Sequence, residues 1–168
     1  TRIYHWLQAM LFFGLVASAY FGVGGVAGMD AKEAHTWLGT VLAVLLIWRM
    51  GWGVFGSETS RFAQFCFSPQ TIWRYIRDQH HPTAGHNPLG GLMVVLLIGS
   101  LFLQGSLGIL MSSWIDGKDL LGRSVIRTLK QIHETNALLL ITLTSLHILA
   151  ALVFRFKGHH LIRAMFTG

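Results

Sequence analysis

Four long stretches of the 168-residue chain are almost free of Asp, Glu, Lys and Arg. They run from Ile3 to Met29, from Thr36 to Gly56 with only Arg49 inside, from Leu89 to Ile115, and from Thr135 to Phe154. A bilayer core of about 30 Å is crossed by about 20 apolar residues in a helix, so each stretch is long enough. Backbone amides and carbonyls in lipid find partners only within their own segment, which makes helices the expected form. The pattern predicts an all-α, integral membrane four-helix bundle, a single membrane domain over residues 1–168. Its spans are expected near 3–27, 36–56, 89–113 and 135–155. The first stretch exceeds the apolar region of a signal peptide and lacks a basic leader before a short apolar core, so it is expected to be a span.

The connections carry their own patterns. Gln70 to Asp78 alternates aromatics with arginines, as a segment lying along the membrane interface would. From Leu120 to Lys130, Leu121, Val125 and Leu129 share one helical face while Arg123, Arg127 and Lys130 fall mostly off it. That spacing predicts a short interfacial helix leading into the fourth span. Glycines within the spans, among them Gly14, Gly39, Gly91, Gly99, Gly105 and Gly108, allow close helix contact or leave room for a flat group. There is no internal repeat and no low-complexity segment.

Composition agrees with a membrane chain. Hydrophobic residues make up 52% and charged residues 12%, about half the charged share of a soluble domain. The lone Cys66 excludes a disulfide framework, a thiolate zinc site and a cysteine-ligated iron–sulfur cluster. The net charge of +6 is unevenly spread. Four spans put the N-terminus, the loop 57–88 and the C-terminal tail on one side, side A. That side holds Arg2, Arg49, Arg61, Arg74, Arg77, Arg155, Lys157 and Arg163 against Glu58 and Asp78. The other side, side B, holds Lys32, Lys118, Arg123, Arg127 and Lys130 against Asp30, Glu33, Asp116, Asp119 and Glu134. The positive-inside rule makes side A, with both termini, cytoplasmic. Loop arginines of this kind account for the basic charge without nucleic acid.

Nine histidines are many for a chain with so few charges. His80, His81, His86, His159 and His160 fall in side A loops and tails, where solvent or lipid headgroups satisfy them. His5, His35, His133 and His147 lie in or at the edges of spans, where an ionisable group is costly and marks function. His133 and His147 are 14 residues apart, about 21 Å along a helix and within about 40° of one face. With the topology above, the four sort into two level pairs, His5 with His147 on side A and His35 with His133 on side B. Two imidazoles facing each other across a bundle suit an iron held at both axial positions, with a flat apolar haem between helices. Arg49, 14 residues beyond His35, comes to the side A level on the same face, where it offsets a haem propionate. On side B, Lys32, Arg123, Arg127 and Lys130 are available for that task. Zinc competes less well, because the pairs are far apart and neither has carboxylates or thiolates beside it. A proton relay through His and Arg remains open, as does a haem-free transporter or channel with interfacial histidines.

The chain also resembles the bacterial cytochrome b561 family, which is related to the cytochrome b subunit of nickel–iron hydrogenases. The resemblance rests on Arg2-Ile-Tyr-His-Trp, His35-Thr-Trp-Leu-Gly, Trp48-Arg-Met-Gly-Trp-Gly, His86-Asn-Pro-Leu-Gly-Gly, His133-Glu, Leu146-His-Ile-Leu-Ala-Ala-Leu and Ala164-Met-Phe-Thr-Gly. Each motif alone is weak; the ordered set spans the whole chain. It implies two b haems with iron ligands at His5, His35, His133 and His147, in a bacterial inner-membrane protein that moves electrons between a quinone pool and a partner. The partner is expected to be a soluble cytochrome or another oxidoreductase subunit. Two other functions fit the same resemblance: superoxide:quinone oxidoreduction, and a haem-bearing membrane anchor of a larger oxidoreductase such as a hydrogenase. Whether the chain is an enzyme in its own right is left open. Arg74, Arg77, His80, His81 and His86 form the candidate quinone site, and Lys118, Arg123, Arg127 and Lys130 form a basic surface suited to steering an anion.

Overall fold

A computed structural model describes residues 2–24, 28–57, 60–64, 66–78, 88–112 and 117–156. Its helices are α1 (Arg2–Tyr20), α2 (Ala31–Phe55), α3 (Pro69–Asp78), α4 (Pro88–Met111) and α5 (Gly117–Phe156), with one 3-10 turn at Phe62–Gln64. There is no strand among the described residues. Four of the helices, α1, α2, α4 and the part of α5 from Leu121 to Phe156, are long and apolar enough to cross a membrane. The molecule is therefore a four-helix membrane bundle, as the charge-free stretches predict.

The helix ends follow local chemistry. Asp30 caps α2, its Oδ1 accepting from the Glu33 amide at 2.7 Å, so the helix begins five residues before the predicted span. Ser68 caps α3 in the same way, its Oγ accepting from the Thr71 amide at 3.2 Å, with Pro69 in the first turn. The expectation of a first span reaching residue 27 is corrected. Helix α1 stops at Tyr20, where the amides of Phe21 and Val23 both donate to the Ala17 carbonyl and Gly22 turns to φ 62°. The left-handed conformation ends the helix, and glycine adopts it without steric cost. Nineteen residues still rise about 28 Å, close to the bilayer core.

The helix expected over Leu120–Lys130 is kinked at Gly122 and continues from Arg123 into the fourth span without a further break. Only Gly122 departs from helical geometry, with φ 74° and ψ 158°. The ion pair of Lys130 with Glu134, 3.6 Å apart one turn along, lies where a loop would otherwise separate the two segments. Helix α3 packs against α4 and leaves Trp73 and Ile76 exposed, as suits a surface helix in a headgroup layer.

Packing proceeds in sequence around the bundle. Helix α1 lies on α2, α2 on α4, and α4 on α5, while α5 makes no comparably close approach to α1 or α2. Gly105 brings α4 near α2; a Cβ there would sit 3.6 Å from that of Ala43. Every spanning helix contributes to one core of Leu11, Leu42, Leu46, Leu101 and Leu140. Outside it, large side chains such as Phe13, Val44, Ile47, Leu138 and Leu149 are exposed, a surface suited to lipid and not to water. A polar contact inside the bundle ties two of its helices together. Asn136 on α5 donates from Nδ2 to the Ser100 carbonyl at 2.9 Å and to Gln104 Oε1 at 2.7 Å, fixing α5 against α4.

Candidate functional site: two facing imidazole pairs

The gap between α5 and the α1–α2 layer is bridged by histidine rings. His5 of α1 faces His147 of α5 with ring centres 6.4 Å apart and planes at 49°. His35 of α2 faces His133 of α5 with centres 6.3 Å apart and planes at 65°. The first pair lies at the side A end and the second at the side B end. Leu140, seven residues from each α5 histidine and 1% exposed, stands midway between them.

Those separations test whether the rings fit an iron. A metal–imidazole bond is about 2.0 Å and a ring centre lies about 1.1 Å behind its nitrogen, so two imidazoles on opposite sides of one metal have centres about 6 Å apart. Both pairs meet that spacing. Among the described residues no third His, Cys, Asp or Glu joins either pair, whereas a structural zinc takes four ligands. Glu134, next to His133, is exposed and pairs with Lys130. The Nδ1 of His133 is buried with no hydrogen-bond partner among the described residues. Gly108 borders that ring, 3.6 Å from its Cε1 to a Cβ built there.

His35 is held more firmly. Its Nδ1 lies 3.0 Å from Ser18 Oγ and 3.2 Å from the Leu15 carbonyl, both on α1. The Ser18 hydroxyl in turn donates to the same carbonyl at 2.9 Å.

Arg49 is buried at the side A end, beside the contact of Tyr4 with Trp48, whose ring centres are 5.6 Å apart. Its guanidinium lies 4.9 Å from the ring centre of Phe62, which folds back over α2 from the following loop. Gly53, one turn beyond Arg49, is what admits that ring, because a Cβ at this position would overlap it. The Trp48-Arg-Met-Gly-Trp-Gly motif thus supplies a buried cation and the space for its aromatic cover. The Tyr4 hydroxyl is buried with no hydrogen-bond partner among the described residues.

Arg74 and Arg77 lie on α3, whereas His80, His81 and His86 of the candidate quinone cluster fall outside the described residues, as do His159, His160 and the Ala164-Met-Phe-Thr-Gly segment. On side B, Arg123, Arg127 and Lys130 are exposed on α5, and the side chain of Lys118 lies outside the described set. Reasoning from sequence does not find Ser18, Tyr4 or the Gln104–Asn136 contact. Their only signal is a polar side chain within an apolar span.

Fold and site together define a membrane helical bundle that presents paired imidazoles at two levels. The chain belongs to the prokaryotic cytochrome b561 family, whose model matches it over residues 1–168. It is accordingly a membrane electron-transfer protein that binds haem b. No curated protein and no solved structure matches it.

Proposed function

We propose that the protein holds two b haems, one between His5 and His147 and one between His35 and His133, and carries electrons across the membrane between quinone and a redox partner. The observation that carries this reading is the presence of two imidazole pairs, 6.4 and 6.3 Å apart, at opposite ends of one bundle. Bound there, haem would supply one-electron chemistry, with His5 and His147 as the residues that would hold one group and His35 and His133 the other.

The chain's own residues do the rest. The α5 histidines, 14 residues apart, set the two levels about 21 Å from each other along the helix. Leu140, Leu42 and Leu46 make the interval between them apolar. Buried Arg49 places a fixed positive charge at the side A end, suited to a propionate and favouring the reduced state of the nearer haem. Arg74 and Arg77 on α3 provide cations for the carbonyl oxygens of a quinone arriving from the lipid at side A, the cytoplasmic side by the charge bias.

The test is electron passage across a sealed membrane. Liposomes containing the protein, with ferricyanide trapped inside and a quinol added to the lipid, should reduce the ferricyanide much faster than liposomes without protein. Equal rates would overturn the proposal.

A further inference from the structure

The two rings of the side B pair are held differently. His133 Nδ1 is buried with no hydrogen-bond partner among the described residues, whereas His35 Nδ1 is engaged by both Ser18 Oγ and the Leu15 carbonyl. The proton positions follow from this network. The Ser18 hydroxyl has one proton and gives it to the Leu15 carbonyl, so its oxygen is left as an acceptor towards His35. The Leu15 carbonyl is an acceptor as well. Both neighbours of His35 Nδ1 therefore demand that this nitrogen carry the proton, and the lone pair is left on Nε2. A metal binds only the nitrogen that has the lone pair, and the hydrogen bond at the other nitrogen sets both tautomer and ring orientation.

We propose that Ser18 is a positioning residue for the side B haem. It holds His35 in the tautomer that offers Nε2 to iron and, by accepting from Nδ1–H, makes the imidazole a stronger electron donor. The proposal rests on His35 and His133 being an iron-ligand pair. Ser18 is buried at 5% exposure, so its hydroxyl reaches His35 without competition from water. A stronger donor stabilises the oxidised iron, and loss of the hydroxyl raises the potential of this haem alone. The Leu15 carbonyl stays as a second acceptor at 3.2 Å, so the effect is partial.

Redox titration of the purified full chain, followed by absorbance and by electron paramagnetic resonance, tests this. In Ser18→Ala the haem that is lost in His133→Ala should show a reduced-to-oxidised ratio about threefold higher at a fixed ambient potential. That corresponds to about 28 mV at 59 mV per tenfold for one electron. The other haem should keep its wild-type potential and so report an intact fold, and Ser18→Thr, which retains the hydroxyl, should restore the wild-type value. If Ser18→Ala loses both haems, Ser18→Cys carries the same test, since it keeps the volume and weakens the hydrogen bond. Wild-type potentials at both haems in these variants would overturn the role of Ser18 and leave the ligand pair standing. Retention of both haems by His133→Ala would overturn the ligand pair and the role of Ser18 with it.

Discussion

His35 and His133 face each other 6.3 Å apart with their ring planes turned by 65°, although they come from helices whose backbones do not pack closely. The side A pair is turned by only 49°. Axial imidazoles that depart further from parallel give low-spin iron a more axial signal with a larger maximum g-value. Electron paramagnetic resonance of the oxidised protein should therefore resolve two low-spin species, and the one with the larger maximum g-value should disappear in His133→Ala. A reversed assignment would contradict the ring geometry.

Arg49 offers a test of charge at side A. Arg49→Leu removes a buried positive group at the level of Tyr4 and His5, and a neighbouring cation favours the reduced state. The potential of the haem lost in His5→Ala should fall by about 50 mV, close to the 59 mV of a tenfold one-electron change. Arg49→Lys should fall less, and the other haem should not move.

The Gly53–Phe62 contact makes a separate prediction about packing. Gly53→Ala forces the Phe62 ring away from α2 and from Arg49, at a cost of about 1–3 kcal/mol for overpacking. In a Phe62→Ala background the same change should be nearly neutral, since the residue it collides with is gone. Thermal unfolding of the four proteins in detergent checks this, and additive effects would contradict it.

At the midpoint of the bundle, Leu140→Ala leaves a void among Leu42, Leu46 and Leu101, for about 2 kcal/mol or more of lost packing. The thermal midpoint should fall by roughly 5 °C. Leu140→Met, which nearly conserves volume, should lose much less.

What the sequence makes legible is depth and side. Charge-free stretches give the four spans, and the 14-residue interval from His133 to His147 gives two levels on one face of α5. The topology then assigns His5 to one level and His35 to the other. Arg49 is legible for the same reason, because its spacing from His35 repeats that interval. Contacts that depend on how one helix is turned against another are not legible. Ser18 meets His35 across the α1–α2 turn, 17 residues away, and nothing in the local pattern separates it from any serine in a span. Phe62 lies over Arg49 only because its loop folds back, with Arg61 Nε donating to the Gly56 carbonyl at 2.9 Å. Helix ends are likewise set by atoms and not by hydropathy. The apolar run continues past Tyr20, yet α1 stops there because Gly22 turns left-handed, and α5 starts early because no helix-breaking turn lies between Lys130 and Thr135.

The central claim is that each haem belongs to one histidine pair, and counting haems in histidine variants tests it most directly. Reduced-minus-oxidised spectra with haem-to-protein ratios should show two haems per chain in the wild type and one in each of His5→Ala, His147→Ala, His35→Ala and His133→Ala. The double variant of His5 and His147, or of His35 and His133, should still hold one haem, while the double variant of His5 and His133 should hold none. One haem retained in that last protein, or none in the variant lacking His5 and His147, would contradict the pairing.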